Sequence, residues 1–184
     1  RRSFESPERR RDEVEQWLAR QVQGATVPEV SFSDLSRIEE PVVIEATVRG
    51  GAWLRDSGGA LIMPPLARRA IDVSTLAPTS ERATPRELGP PALWRHEVRV
   101  LLPDGFTPER LPEPQVFESA FGRLVLTQTL DGGVYTAVGE LRVDAPRVDP
   151  DRWSDLRSWT REMDAALNRP VRLVRAETAL RGER

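Results

Sequence analysis

His96 is the side chain best suited to acid–base chemistry, because the sequence has one histidine, no cysteine and no lysine. The missing cysteines and lysines exclude thiolate nucleophiles, cysteine-based zinc sites and Schiff-base chemistry within this chain. On the strand predicted around it, His96 shares a face with Trp94 and Val98, which places the imidazole toward the core. We favour a hydrogen-bonded structural histidine, with an acid–base or metal-binding role as the alternative.

The run Asp56-Ser57-Gly58-Gly59 is the place where a serine nucleophile would be sought. It is similar to the nucleophile segment of chymotrypsin-like serine proteases, in which a glycine precedes the aspartate and the catalytic histidine precedes the serine. Here Arg55 stands at the glycine position, and His96 follows Ser57. Aspartate, serine and glycine are also the usual residues of tight turns. We therefore interpret the run as a hairpin turn and predict no catalytic residue in the chain.

Four aspartates suggest calcium at first sight: Asp144, Asp149, Asp151 and Asp155. Their spacing lacks the alternating oxygen ligands, the glycine and the terminal glutamate of an EF-hand loop. Capping of a helix N-terminus explains Asp149 and Asp151 without a metal. The sequence predicts neither a metal site nor a bound cofactor.

Tryptophan offers another kind of site, because its ring can stack on a sugar or fill a core. Four of the five tryptophans fall on predicted buried faces: Trp17, Trp94, Trp153 and Trp159. Trp53 lies beside a predicted hairpin and is the candidate for exposure. We predict that a binding site would use Trp53 and three arginines: Arg55, Arg68 and Arg69.

The composition limits the classes of partner. The 184 residues include 27 basic residues, all of them arginine, and 29 acidic ones, for a net charge of −2. A nucleic-acid-binding domain usually has a clear basic excess, so we expect no nucleic-acid partner. Arginine and carboxylate side chains should pair across the surface. No apolar run reaches the roughly 18 residues that a membrane span requires, so we expect no direct membrane span.

Two helices bracket the predicted strands. The first begins at Ser6 and Pro7, has apolar residues at helical spacing and ends at Gly24. The second covers about 150–168 and presents one buried stripe: Trp153, Leu156, Thr160, Met163 and Leu167, with Trp159 beside it.

Between the helices the period of the apolar residues changes to two. Pro41–Gly50 is predicted to be a half-buried strand, and hairpins are predicted at Gly58-Gly59 and at Asp131-Gly132-Gly133. Pro64–Pro91 contains six prolines and is predicted to be a surface excursion. The fold class that follows is mainly β, an antiparallel β-sandwich with flanking N- and C-terminal α-helices. We predict a helix or linker of an upstream domain at 1–24, the sandwich with its C-terminal helix at 25–175, and a tail at 176–184.

A series of short segments resembles the C-terminal, β-rich region of bacterial transglutaminase-like proteins that begin with a domain of unknown function. The similar segments, in order, are Phe32-Ser33-Asp34-Leu35-Ser36, Glu40-Pro41-Val42, Val98–Phe106, Phe121-Gly122-Arg123, Val148–Arg157 and Met163–Leu167. In that family a papain-like core with a Cys-His-Asp triad precedes this region. None of the triad can be placed on this sequence, because it has no cysteine.

The resemblance implies an accessory role. We expect a non-catalytic β-sandwich that binds a protein partner or the upstream catalytic domain of the same polypeptide. Family members are commonly exported, which implies a periplasmic or cell-envelope location. A carbohydrate- or cell-wall-binding module is the alternative, and a stand-alone hydrolase is the least favoured hypothesis.

Overall fold

The structure, a computed structural model, describes residues 6–21, 24–37, 39–50, 53–65 and 71–176. The chain divides into two compact units, Arg1–Arg55 and Asp56–Arg184. The helices are α1 (Pro7–Gln21) and α2 (Trp153–Leu167). The strands are β1 (Ala25–Phe32), β2 (Ile44–Gly50), β3 (Arg55–Ser57), β4 (Ala60–Met63), β5 (Arg86–Glu87), β6 (Ala92–Leu101), β7 (Phe106–Pro108), β8 (Gln115–Ser119), β9 (Gly122–Asp131), β10 (Val134–Val143), β11 (Arg147–Val148) and β12 (Val171–Arg175).

The first unit consists of α1 and an antiparallel pair, β1 and β2. Ser6 caps α1 as predicted, because its Oγ accepts a hydrogen bond from the backbone N–H of Arg9 at 3.2 Å. The β1–β2 register shifts between Thr26 and Glu29. Pro28 lies within that shift, as expected for a residue that cannot donate a ladder hydrogen bond. The unit therefore contains β1 and β2, which the sequence analysis assigned to the sandwich.

Apolar side chains of the first unit remain largely outside a core. Among its described residues Val14 is the one buried hydrophobic side chain. Val42, Val43 and Ile44 are 44–49% exposed, so the prediction that this strand is half-buried is wrong. Helix α1 packs against β1, and a two-stranded pair with one helix leaves little cover for β2.

The second unit is built around an antiparallel sheet with the strand order β6-β10-β9-β8. The predicted hairpin between β9 and β10 is confirmed. Gly132 and Gly133 have φ angles of 53° and 79°, and a tight turn with two positive φ angles matches the twist of paired strands. Gly122, at the start of β9, permits a close approach of the partner strand, because a Cβ there would lie 2.0 Å from the carbonyl oxygen of Arg142.

Helix α2 packs on one face of this sheet. Its predicted stripe is confirmed, since Trp153, Leu156, Thr160, Met163 and Leu167 are all buried, together with Trp159. Across the sheet Leu124 of β9 faces Leu141 of β10, and both belong to the same apolar cluster as the stripe. Every third or fourth residue of α2 thus meets the inward side of the strands.

The proline-rich stretch contributes to this core. Ile71 and Val73 are 2% and 1% exposed, so the prediction of a surface excursion is wrong for this part. Val73–Thr75 form a short 3-10 turn in which Asp72 Oδ1 accepts a hydrogen bond from the N–H of Ser74 at 3.0 Å. The turn lies against α2 and closes one side of the apolar cluster.

A second four-stranded sheet of the chain has the order β3-β4-β12-β7. The predicted turn between β3 and β4 is confirmed, with φ angles of 65° and 87° at Gly58 and Gly59. Its inner residues, Met63 and Leu173, are 1% and 0% exposed. The prediction of a mainly β, antiparallel, sandwich-like fold with N- and C-terminal helices is confirmed. None of the described helices is long and apolar enough to cross a bilayer.

Candidate functional site

His96 lies in the middle of β6, opposite Gly139 of β10. The imidazole is half-buried, and burial lowers its pKa below the usual 6.5. Among the described residues none forms a hydrogen bond with it, and the hydrogen-bonded histidine stays a prediction. Gly139 has no side chain to reach the ring, and Trp94 and Val98 flank His96 on the same face. The neutral form of the imidazole is favoured in this apolar setting.

The serine segment is a turn. Asp56 Oδ1 accepts a hydrogen bond from the N–H of Gly58 at 3.1 Å, which is the usual role of an aspartate before two glycines. Ser57 is the last residue of β3. The interpretation of this run as a hairpin turn is confirmed.

The aspartates around residue 150 pair with neighbouring arginines. Asp144 accepts from Arg142 at 2.9 Å, Asp149 from Arg147 at 3.3 Å, and Asp155 from Arg152 at 2.9 Å. The side chain of Asp149 makes no capping hydrogen bond, so its predicted capping role is wrong. The described residues contain no group of acidic or histidine side chains arranged to hold a metal ion.

The four predicted binding residues are not assembled into a described site. Trp53 is half-buried, and Arg55 is exposed at the start of β3. Arg68 and Arg69 lie outside the described residues. The binding patch and the carbohydrate-binding alternative therefore remain predictions.

Two tryptophans predicted to be buried are exposed instead. Trp17 on α1 is 36% exposed, and Trp94 on β6 is 48% exposed. Trp94 points to the same side of the sheet as Leu141, its partner on β10. However, β6 is an edge strand, and α2 packs over β8, β9 and β10. Periodicity identified the correct face of β6. It could not indicate that the strand lies beyond the cover of the helix.

The edge strand β6 is the apolar surface that sequence reasoning missed. Trp94 is 48% exposed on one face of the strand, and on the other face Leu93 and Leu101 are 60% and 77% exposed. Between them Glu97 pairs with Arg95 and Arg99, at 2.9 Å and 2.6 Å. These carboxylate bonds hold the pKa of Glu97 below its usual value. A surface of this kind has the chemistry of a contact for another polypeptide, because it combines exposed apolar groups with paired charges.

A groove of about 340 Å³ lies beside the connection from α2 to β12. Its charged lining residues are Glu109, Arg110, Glu113, Arg169 and Arg172. The guanidinium of Arg172 is already paired with Glu109 at 2.9 Å. No pattern in the sequence predicted the groove, because its residues come from two segments far apart in the sequence, 109–115 and 169–172.

The fold defines a mainly β module with a helix packed on one sheet. The candidate residues described above form a turn at Asp56, ion pairs at the aspartates near residue 150, and part of a strand at His96. Residues 59–173 match the family described as "Domain of Unknown Function with solved-structure structure (DUF3858)", and the chain belongs to that family. The match coincides closely with the second unit.

The fold is similar to that of a solved protein from Parabacteroides distasonis ATCC 8503, described as "a putative protease". The TM-score is 0.53 and the sequence identity 23%, over 64% of this chain. The chain covers 24% of the length of that protein. A comparison with curated proteins gives no match.

Proposed function

We propose that the chain is a non-catalytic accessory module that binds a protein surface, namely the catalytic domain of a transglutaminase-like envelope protein of which it forms part. The observation that carries the proposal is the set of exposed apolar side chains in the first unit. Val42, Val43 and Ile44 are consecutive and 44–49% exposed, and Trp17 on α1 is 36% exposed. Two strands and one helix with so little buried apolar surface gain stability when a larger surface covers them.

The length of the solved protein of similar fold is compatible with a module inside a larger polypeptide. The solved protein of similar fold is much longer than the matched part, because this chain covers 24% of its length. A module of this size within a larger protein is well suited to present or support a neighbouring domain. The structural roles found for Asp56, Asp149 and Asp155 also agree with a scaffold function.

The test introduces aspartate at one of two valines of similar exposure. It uses a bacterial polypeptide in which a transglutaminase-like domain precedes this region. Val43 of the first unit is 49% exposed, and Val116 of β8 is 51% exposed. We expect Val43→Asp to weaken the packing of the first unit on the catalytic domain and so to lower the melting temperature of the first unit. Val116→Asp is the matched control and should leave that temperature unchanged. Equal effects of the two substitutions would contradict the proposed contact.

The non-catalytic part has its own test. The isolated chain is incubated with peptide, amide and ester substrates, and we expect no turnover. Turnover that disappears in His96→Ala would show that the chain is an enzyme and would overturn the proposal. His96→Gln serves as the control for a structural effect, because it keeps a polar side chain of similar size.

A further inference from the structure

The edge strand β6 has an uncommon combination of length, regularity and exposure. It contains ten residues, and its register with β10 runs without a shift from Ala92 to Leu101. Natural edge strands are usually protected from further pairing by shortness, proline or bulges. Strand β6 is long and has no bulge and no internal proline, whereas the opposite edge, β8, has five residues. The charged residues of β6, Arg95, Glu97 and Arg99, have both signs, so they disfavour pairing with a strand of like charge and favour one of complementary charge.

The backbone groups that face away from β10 can be assigned. The two-residue turn at Gly132-Gly133 makes Asp131 and Val134 a hydrogen-bonded pair, and such pairs alternate along a ladder. Even-numbered residues of β6 therefore bond to β10, in agreement with the bond from the Leu102 N–H to the Gly133 carbonyl at 3.0 Å. The odd-numbered residues direct their N–H and C=O groups outward: Leu93, Arg95, Glu97, Arg99 and Leu101.

We propose that β6 pairs with β6 of a second copy of the chain, antiparallel about a two-fold axis at His96. In this register Arg95 of each copy lies opposite Glu97 of the other, so two ion pairs form across the interface. Trp94 lies opposite Val98, an aromatic and β-branched pair of the kind that stabilises antiparallel strands. The two sheets become one continuous sheet of eight strands. The exposed face of Trp94 is covered.

Neighbouring registers fit less well. A two-fold axis at Glu97 would set Glu97 against Glu97 and Arg95 against Arg99, and like charges opposite each other are destabilising. An axis at Val98 would place Glu97 opposite Arg99, but it pairs only the residues from 95 to 101 and leaves Trp94 outside. The register centred on His96 pairs the residues from 92 to 100. Charge, overlap and coverage of Trp94 thus favour the same register.

Charge reversal tests the ion pairs. The Arg95→Glu chain carries acidic residues at both positions, and the Glu97→Arg chain carries basic ones. We expect each variant alone to dimerise at least about tenfold more weakly than the unchanged chain, because two attractive pairs become repulsive. An equimolar mixture should form a heterodimer, since every cross-strand pair is again of opposite sign. Native mass spectrometry separates the three possible dimers, and sedimentation gives the dissociation constants.

Cysteine substitution tests the register, and the sequence has no cysteine that could interfere. His96 would face itself in a non-hydrogen-bonded pair with Cα atoms about 4.5 Å apart, which lies within the range of a disulfide. His96→Cys should therefore form an intermolecular disulfide on mild oxidation. Val98→Cys is the matched control on the same face and should not, because it would face Trp94.

Each outcome supports or overturns either the dimer or its register. A chain that remains monomeric at its solubility limit would overturn the proposal, and so would a dimer that is indifferent to both charge reversals. Disulfide formation by Val98→Cys and not by His96→Cys would overturn the register. Circular dichroism of each variant verifies that the substitutions leave the fold intact. The surface is distinct from that of Val43, so the result is independent of the proposed accessory function.

Discussion

Tyr135 is a buried residue with a polar hydroxyl group. It is 1% exposed, and its hydroxyl donates a hydrogen bond to Oε1 of Gln128 on the neighbouring strand. Burial disfavours the ionised form and raises the pKa of Tyr135 to about 12. It is the one tyrosine of a sequence without lysine, and arginine remains charged at such pH values. Tyr135 should therefore dominate the alkaline titration.

This raised pKa predicts how stability varies with pH. The contribution of neutral Tyr135 is fully present below the unfolded pKa of about 10 and is lost as the pH rises toward 12. We expect the free energy of unfolding in urea to fall over that window. Tyr135→Phe should flatten the fall, because phenylalanine cannot ionise. Ultraviolet absorbance in the folded chain should give a phenol titration near 12; a midpoint near 10 would contradict the burial.

At the scale of elements, α2 is the main source of core packing in the second unit. Trp153 is 3% exposed, and its indole N–H donates to the carbonyl oxygen of Thr79 at 3.2 Å. Trp159 makes a similar bond to the carbonyl oxygen of Phe117, also at 3.2 Å. Both rings thus fill apolar space and satisfy their polar atoms with loop or strand backbone. The helix holds the proline-rich stretch as well as the sheet.

The two kinds of tryptophan predict opposite results. Trp153→Ala should lower the free energy of unfolding by about 3–5 kcal/mol, since it empties a buried site and leaves the Thr79 carbonyl without its donor. Trp94→Ala on the edge strand should change it by less than about 1 kcal/mol in the monomer, because the ring is 48% exposed. Urea unfolding of dilute chain measures both. A loss below 1 kcal/mol for Trp153→Ala would mean that α2 does not pack as described.

At the scale of the whole molecule, the two units differ in how much apolar surface they bury. The second unit contains the cluster formed by α2 and the sheet, whereas Val14 is the one buried hydrophobic residue described in the first unit. Local stability follows the density of buried contacts. The two units should therefore open separately.

Hydrogen exchange measures this difference between two antiparallel pairs. Amides of β9 and β10 should exchange through nearly global unfolding, whereas those of β1 and β2 should open at a free energy lower by at least about 2 kcal/mol. Both pairs have the same kind of backbone bonding, so the comparison reports the burial around them. Equal protection would contradict the division, because it would mean that the first unit is already covered in the isolated chain.

Local chemistry was sufficient to predict several elements. The glycine pairs Gly58-Gly59 and Gly132-Gly133 predicted both hairpin turns, because positive φ angles at consecutive positions suit glycine. The spacing of apolar residues in α2 predicted its buried stripe, since helical geometry alone decides which side chains share a face. The structural role of Asp56 followed from turn chemistry in the same way.

Periodicity and turn chemistry could be predicted from the sequence because they depend on neighbouring residues, and the lack of cysteine and lysine follows from the composition. Only the tertiary structure decided which faces are covered. Trp94 and Ile44 lie on regular strands, yet β6 is at an edge and β2 belongs to a two-stranded pair, so both are exposed. Ile71, within a segment without periodicity, is buried under α2. Burial depends on the order of the strands and on the placement of the helix. The pattern of residues along one strand does not determine either of these.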